Sequence, residues 1–154
     1  MKSKFRWYHI ALLVTGFLVL AAVTVFLIMN YKNINTEIPT HYNASGEADG
    51  FGAKSSLILQ MGMAWGLFIV LNIVGRIPSV WNLGPEVREE NREKAETISR
   101  TMLCILTFLI PAFFAYTVLC SVRGAALNPA VLPLFLVAVF GTIVISVTRL
   151  CRNR

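Results

Sequence analysis

Five side chains able to hold a ligand or move a proton lie close together in "IPTHYNASGEADGFGAK", from Ile38 to Lys54: His41, Asn43, Glu47, Asp49 and Lys54. A metal site would draw on His41, Glu47 and Asp49, but their spacing matches neither a zinc pattern nor the ligand series of a calcium loop. Acid–base catalysis would need a paired group and a nucleophile. The chain has no Gly-x-Ser-x-Gly, no His-Glu-x-x-His and no helix-borne carboxylate pair. What remains is recognition and cross-linking. Asn43 and Asp49 are expected to hydrogen-bond turn backbones, Glu47 to pair with Lys54, and His41 to pack or donate a bond, leaving the same residues available to a ligand. The expectation is no enzyme, no metal and no cofactor. Asn43-Ala44-Ser45 also fits the N-glycosylation acceptor pattern.

The backbone of this stretch is heavily punctuated. Pro39 fixes its own φ and biases Ile38 toward extended geometry. Asn43 to Gly46 and Asp49-Gly50 read as turns, and Gly52 permits a further tight bend. This predicts a compact loop of defined shape, not a regular strand or helix throughout.

The elements that must hold this loop are apolar. The 154-residue chain is 56% hydrophobic and carries 14 Lys and Arg against 8 Asp and Glu, too greasy for an ordinary soluble domain. Four runs, 8–29, 56–74, 101–120 and 131–148, reach or approach the roughly 20 residues needed to cross a hydrocarbon core, and none has a Lys, Arg, Asp or Glu in its interior. Lipid offers no partner to backbone polar groups, so each run must be a helix. Short connections make neighbours antiparallel. The fold expected is all-α: one four-helix transmembrane bundle over 1–154 with an ordered extracytoplasmic loop. The first run is too long for a signal-peptide core and is read as an uncleaved anchor.

Charge sets the orientation. Lys2, Lys4, Arg6, Arg76, Arg88, Arg92, Lys94, Arg100, Arg149, Arg152 and Arg154 fall on one side, and Lys32, Lys54 and Arg123 on the other. The positive-inside rule then puts both termini in the cytoplasm and the 30–55 loop outside a cell membrane. The same distribution, flanking apolar runs and forming no single basic face, argues against nucleic acid. The partners implied are the lipid bilayer, an extracytoplasmic peptide and a cytoplasmic protein.

Within the helices, Gly62 and Gly66 are four apart, the small-xxx-small spacing that lets backbones approach; packing inside the bundle is expected, with a homodimer seam as the alternative. Gln60 and Asn72 are read as amides bonding across helices. Pro111 marks a bend in the third span, and Pro133 begins the fourth. Cys104, Cys120 and Cys151 suggest neither a disulfide nor a metal site. Between the second and third spans, Gly84 and Pro85 start an expected surface helix at 84–100. Glu90–Lys94 and Glu96–Arg100 are at i,i+4 spacing there, a partial apolar stripe could dock the cytoplasmic protein, and Trp81 sits at the interface. The absence of ionisable groups inside the spans disfavours an ion-coupled carrier.

Ile38, Pro39, His41, Tyr42, Asn43, Gly46, Asp49, Gly50, Gly52 and Lys54 fall in the order I-P-x-H-[FYW]-N-x-x-G-x-x-D-G-x-G-x-K. In this the chain resembles the bacterial and archaeal family called domain of unknown function 1648. "WNLGPEVREEN", through Trp81, Asn82, Pro85, Glu90 and Asn91, is similar to that family's second segment, and the resemblance runs to about Met102. The family includes the amino-terminal part of SdpI-like immunity proteins. The resemblance implies a multi-pass membrane protein of immunity or signalling type, and the outward position of the loop makes it the candidate surface for recognising a peptide or envelope component. The alternatives are a small transport or channel component, with Gln60, Asn72 and the Pro111 bend lining a path, or a structural accessory subunit.

Overall fold

A computed structural model describes residues 5–81, 87 and 89–152. Along the chain come helix α1 (Trp7–Asn30), a turn of 3₁₀ helix at Tyr31–Asn33, strands β1 (Glu37–Tyr42) and β2 (Ala48–Ala53), and helix α2 (Ser56–Val74). A second 3₁₀ turn at Pro78–Val80, helix α3 (Glu89–Arg123) and helix α4 (Val131–Cys151) complete it. All four α-helices are long and apolar enough to cross a membrane.

The architecture is mostly helical, as expected, but α3 is its hub. α1, α2 and α4 pack chiefly on α3, while α1 and α2 touch each other far less. Burial on α1 recurs at Gly16, Leu20, Val23 and Leu27, and on α2 at Leu57, Met61, Ala64 and Phe68, the alternating four and three steps of one helix face. These meet Ala115 and Val118 of α3, and Ile34 and Ile38 plug the core at one end. α4 contributes nothing to this core, and only 6% of its apolar window is buried. The outward surface is Leu18, Val25, Ile28, Ile69, Val70, Val137 and Phe140, side chains that hydrocarbon solvates at no cost.

α3 has 35 residues and so extends about 52 Å, well beyond a hydrocarbon core of about 30 Å. The surface helix expected at 84–100, running into the third span, is from Glu89 onward continuous with that span, as expected. The charged first turns of α3 are helical, and Arg92 pairs with Glu96 at 3.8 Å. Gly84, Pro85 and Asn82, like Lys2, Lys4, Arg88 and Arg154, lie outside the described residues. Trp81 donates its indole N–H to the Val74 carbonyl, and the Arg100 guanidinium lies 5.5 Å from its ring and 4.4 Å from that of Phe5. Pro133 falls in the first turn of α4, as expected.

The loop is more regular than its punctuation predicts: β1 and β2 form an antiparallel hairpin. Register shifts between Pro39 and His41, and again between His41 and Tyr42, mark bulges that bring the strands unusually close. A Cβ at Gly50 would lie 3.0 Å from the His41 Cβ, and one at Gly52 would lie 3.1 Å from Thr40 Cγ2. Gly50 and Gly52 are thus strand residues whose missing side chains permit close approach, not turns. The actual turn is Asn43–Gly46.

Gly62 and Gly66 do not pack inside the bundle. Both are exposed, and a Cβ at either would meet no atom within 4 Å. The close helix crossing is at Gly16, where a Cβ would lie 3.3 Å from Phe68 of α2 and 3.5 Å from the Thr107 carbonyl of α3. That carbonyl is four residues before Pro111, which has no N–H to offer it. Helix α3 runs through Pro111, so proline there frees an acceptor on the face that α1 approaches.

Candidate functional site

The hairpin tip is built on Asn43. Its side-chain oxygen accepts the N–H groups of Ser45 at 2.9 Å and Glu47 at 3.0 Å, and its amide nitrogen donates to Glu47 Oε2. Gly46, at φ 83°, completes the turn by donating its N–H to the Asn43 carbonyl. The Gly46 carbonyl then accepts the Leu127 N–H at 2.8 Å, clamping the tip onto the segment joining α3 to α4.

Beneath the clamp is a cleft of about 220 Å³ between the hairpin, α2, α3 and the start of α4. Its polar lining includes Tyr42, Gln60, Thr117 and Ser121, and its apolar lining Phe113, Phe114, Leu127 and Leu132. Tyr42 Oη and Ser121 Oγ are 3.2 Å apart. Burial raises the Tyr42 phenol above its ordinary pKa, an effect its Ser121 bond partly opposes, so the group stays protonated and able to donate at neutral pH. Gln60 donates to Thr117 Oγ1 at 2.7 Å, and Thr117 donates to the Phe114 carbonyl. Tyr116 Oη accepts the Asn128 N–H, holding the far wall.

The five residues singled out by type do not converge on one point. His41 Nδ1 and Asp49 Oδ1 meet across the strands at 2.5 Å, both exposed, with His41 also on the cleft rim. Asn43 and Glu47 are spent on the turn. Lys54 does not pair with Glu47. Its ammonium donates to the carbonyls of Tyr31 at 3.0 Å and Ile34 at 3.2 Å and lies 4.9 Å from the centre of the Tyr31 ring. A cation there complements the carbonyl end of α1. Replacing Lys54 by methionine is expected to cost about 2 kcal/mol, because bonds to charged donors contribute about 1.5 to 3. Glu47→Gln should cost far less; equal shifts of the two melting midpoints in detergent would contradict this pairing.

Tyr42, Thr117, Ser121 and Leu132 were not singled out from the sequence as site residues. The available signal was the i,i+4 pair of hydroxyls, Thr117 and Ser121, at the end of the third apolar run. Asn72, expected to bond across helices, instead accepts from Arg76 just past the end of its own helix, at the end away from the hairpin. Pro111 is fully buried. Gln60, Asn72 and Pro111 therefore line no common path.

The arrangement defines a multi-pass helical membrane protein with a hairpin-capped cleft at one end. Residues 17–64 match the family described as Domain of unknown function (DUF1648). The chain thus carries a DUF1648 domain comprising most of α1, the hairpin and the first half of α2; the Trp81–Asn91 stretch lies beyond the matched range. No curated protein matches the chain, and no solved structure does.

Proposed function

We propose that this is a non-enzymatic protein of the immunity or signalling type, which binds a side chain of a peptide or envelope component in the hairpin cleft. The observation that carries this reading is the size and lining of the cleft. Small-molecule pockets usually measure about 300 to 1,000 Å³. At 220 Å³ this one admits a single side chain, with aromatic walls and hydrogen-bonding groups inside. Its serine and histidine are engaged by different partners, Tyr42 and Asp49, which favours binding over acyl transfer. The excess of Lys and Arg at the opposite end supports placing the hairpin outside the cell membrane. Helix α3 joins the cleft to that end without a break, a direct mechanical route to a cytoplasmic protein at its first turns. Membership of the DUF1648 domain in a family that includes the amino-terminal part of SdpI-like immunity proteins is consistent with the same reading.

The test uses a deletion strain challenged with peptides secreted by its own stationary culture. Sensitivity is expected to rise, to be reversed by the intact gene, and not to be reversed by Leu132→Trp, which fills the cleft without breaking a hydrogen bond, or by His41→Ala. Both variants should reach the membrane at normal levels. Unchanged tolerance in the deletion strain would sink the immunity version, and full rescue by Leu132→Trp would remove the cleft from it.

A further inference from the structure

The end of the bundle opposite the hairpin holds a second recess. We infer that it is a binding site for one anionic phospholipid, with the phosphate at the basic mouth and an acyl chain along the groove between α1 and α4. This inference is independent of the cleft reading.

The recess has two adjoining parts with a shared wall. The mouth, about 710 Å³, is lined among the described residues by Arg6, Lys94, Arg149 and Arg152 against Glu90 and Glu93, four cations to two carboxylates. The inner part, about 310 Å³, shares Thr97, Ile98 and Arg149 with the mouth and continues past Tyr8, Ile105, Thr142 and Ile145. Those last four residues lie inside candidate membrane spans. From Thr97 to Ile105 the groove descends about 12 Å along α3.

The polarity gradient selects the occupant. A soluble acidic protein could answer the charges but could not follow the groove to hydrocarbon depth. A zwitterionic lipid could fill the groove but would gain less at a mouth with net positive charge. A phospholipid with a net negative headgroup satisfies both ends, and basic pockets between helices are where such headgroups bind. The groove exists because α4 lies on α3 and is otherwise little buried, leaving the space beside α1 unfilled. Its wall is rigid near the mouth: buried His9 accepts the Arg6 N–H on Nδ1 and bonds Thr101 Oγ1 through Nε2 at 2.9 Å.

Arg149 already has a partner within the chain, so the test addresses the exposed cations Arg6 and Arg152. The full-length protein in detergent is titrated with phosphatidylglycerol, phosphatidylcholine or soluble glycerophosphoglycerol, and retained molecules are counted by native mass spectrometry. One phosphatidylglycerol is expected to be held in preference to phosphatidylcholine, with little binding of the soluble headgroup. Arg6→Gln with Arg152→Gln should weaken it about thirtyfold, since each basic residue near an anionic lipid contributes about 1 kcal/mol. Lys32→Gln, at the hairpin end, should leave it unchanged. Equal retention of the two lipids, tight binding of the soluble headgroup, or wild-type affinity in a folded double variant would each overturn the proposal.

Discussion

Gly46→Ala is expected to lower the stability of the protein by about 2 to 4 kcal/mol. A left-handed backbone costs an L-residue about 1 to 2 kcal/mol. The added methyl would also stand 2.3 Å from the Leu127 carbonyl oxygen and 3.1 Å from its carbon, with backbone and not a flexible side chain in the way. The tip must therefore lift, breaking the Leu127 N–H bond, for about another 1 kcal/mol. For a chain of this length that corresponds to a fall in melting midpoint on the order of 10 °C. Gly62→Ala is the control. Its Cβ meets nothing, and alanine is the better helix former by about 1 kcal/mol, so its midpoint should hold or rise. If Gly46→Ala melts with the parent, the tip is not clamped to the α3–α4 segment and the cleft has no fixed roof.

Gly16→Leu should have an effect of similar size at the helix crossing. Alanine at Gly16 meets the end of the Phe68 ring at 3.3 Å, which can move; the longer leucine is driven toward the Thr107 carbonyl and the Phe108 backbone. Overpacking costs typically 1 to 3 kcal/mol. Here it also forces α1 off α3, straining the His9–Thr101 bond and the bond from the Trp65 indole to Thr24. The expected order of melting midpoints is parent, then Gly16→Ala slightly lower, then Gly16→Leu lower by on the order of 10 °C. Equal midpoints for the alanine and leucine variants would mean that the helices do not cross closely at this glycine.

These two glycines show where reading the chain alone falls short. Gly62 and Gly66 have the spacing associated with close packing, yet they face outward; Gly16 has no such partner in sequence and lies where α1 closely approaches both α2 and α3. The spacing shows that one face of a helix is small, not which neighbour fills it. Lys54 is a similar case. A local reading pairs it with Glu47, seven residues before it, whereas its ammonium caps carbonyls 20 and 23 residues upstream, because the hairpin returns the chain to the end of α1. The strands were hidden because "ADGFGA" carries little of the usual strand composition. Its glycines fit a strand because Gly50 lies opposite His41, and Gly52, opposite Ile38, lies against the Thr40 side chain.

Composition was sufficient for the four spans, since solubility in hydrocarbon is a property each side chain carries with it and long uncharged runs have few other stable homes. The shaped polar segment between the first two spans, and the Asn43 turn at its centre, were likewise local and therefore legible. The tertiary structure alone decided which faces meet. In lipid, a leucine turned outward and one turned inward are nearly equal in energy, so apolar pattern cannot choose between them. The choice falls to close steric fits at Gly16 and Gly46 and to hydrogen bonds between residues far apart in sequence, such as Gln60 with Thr117 and Tyr42 with Ser121.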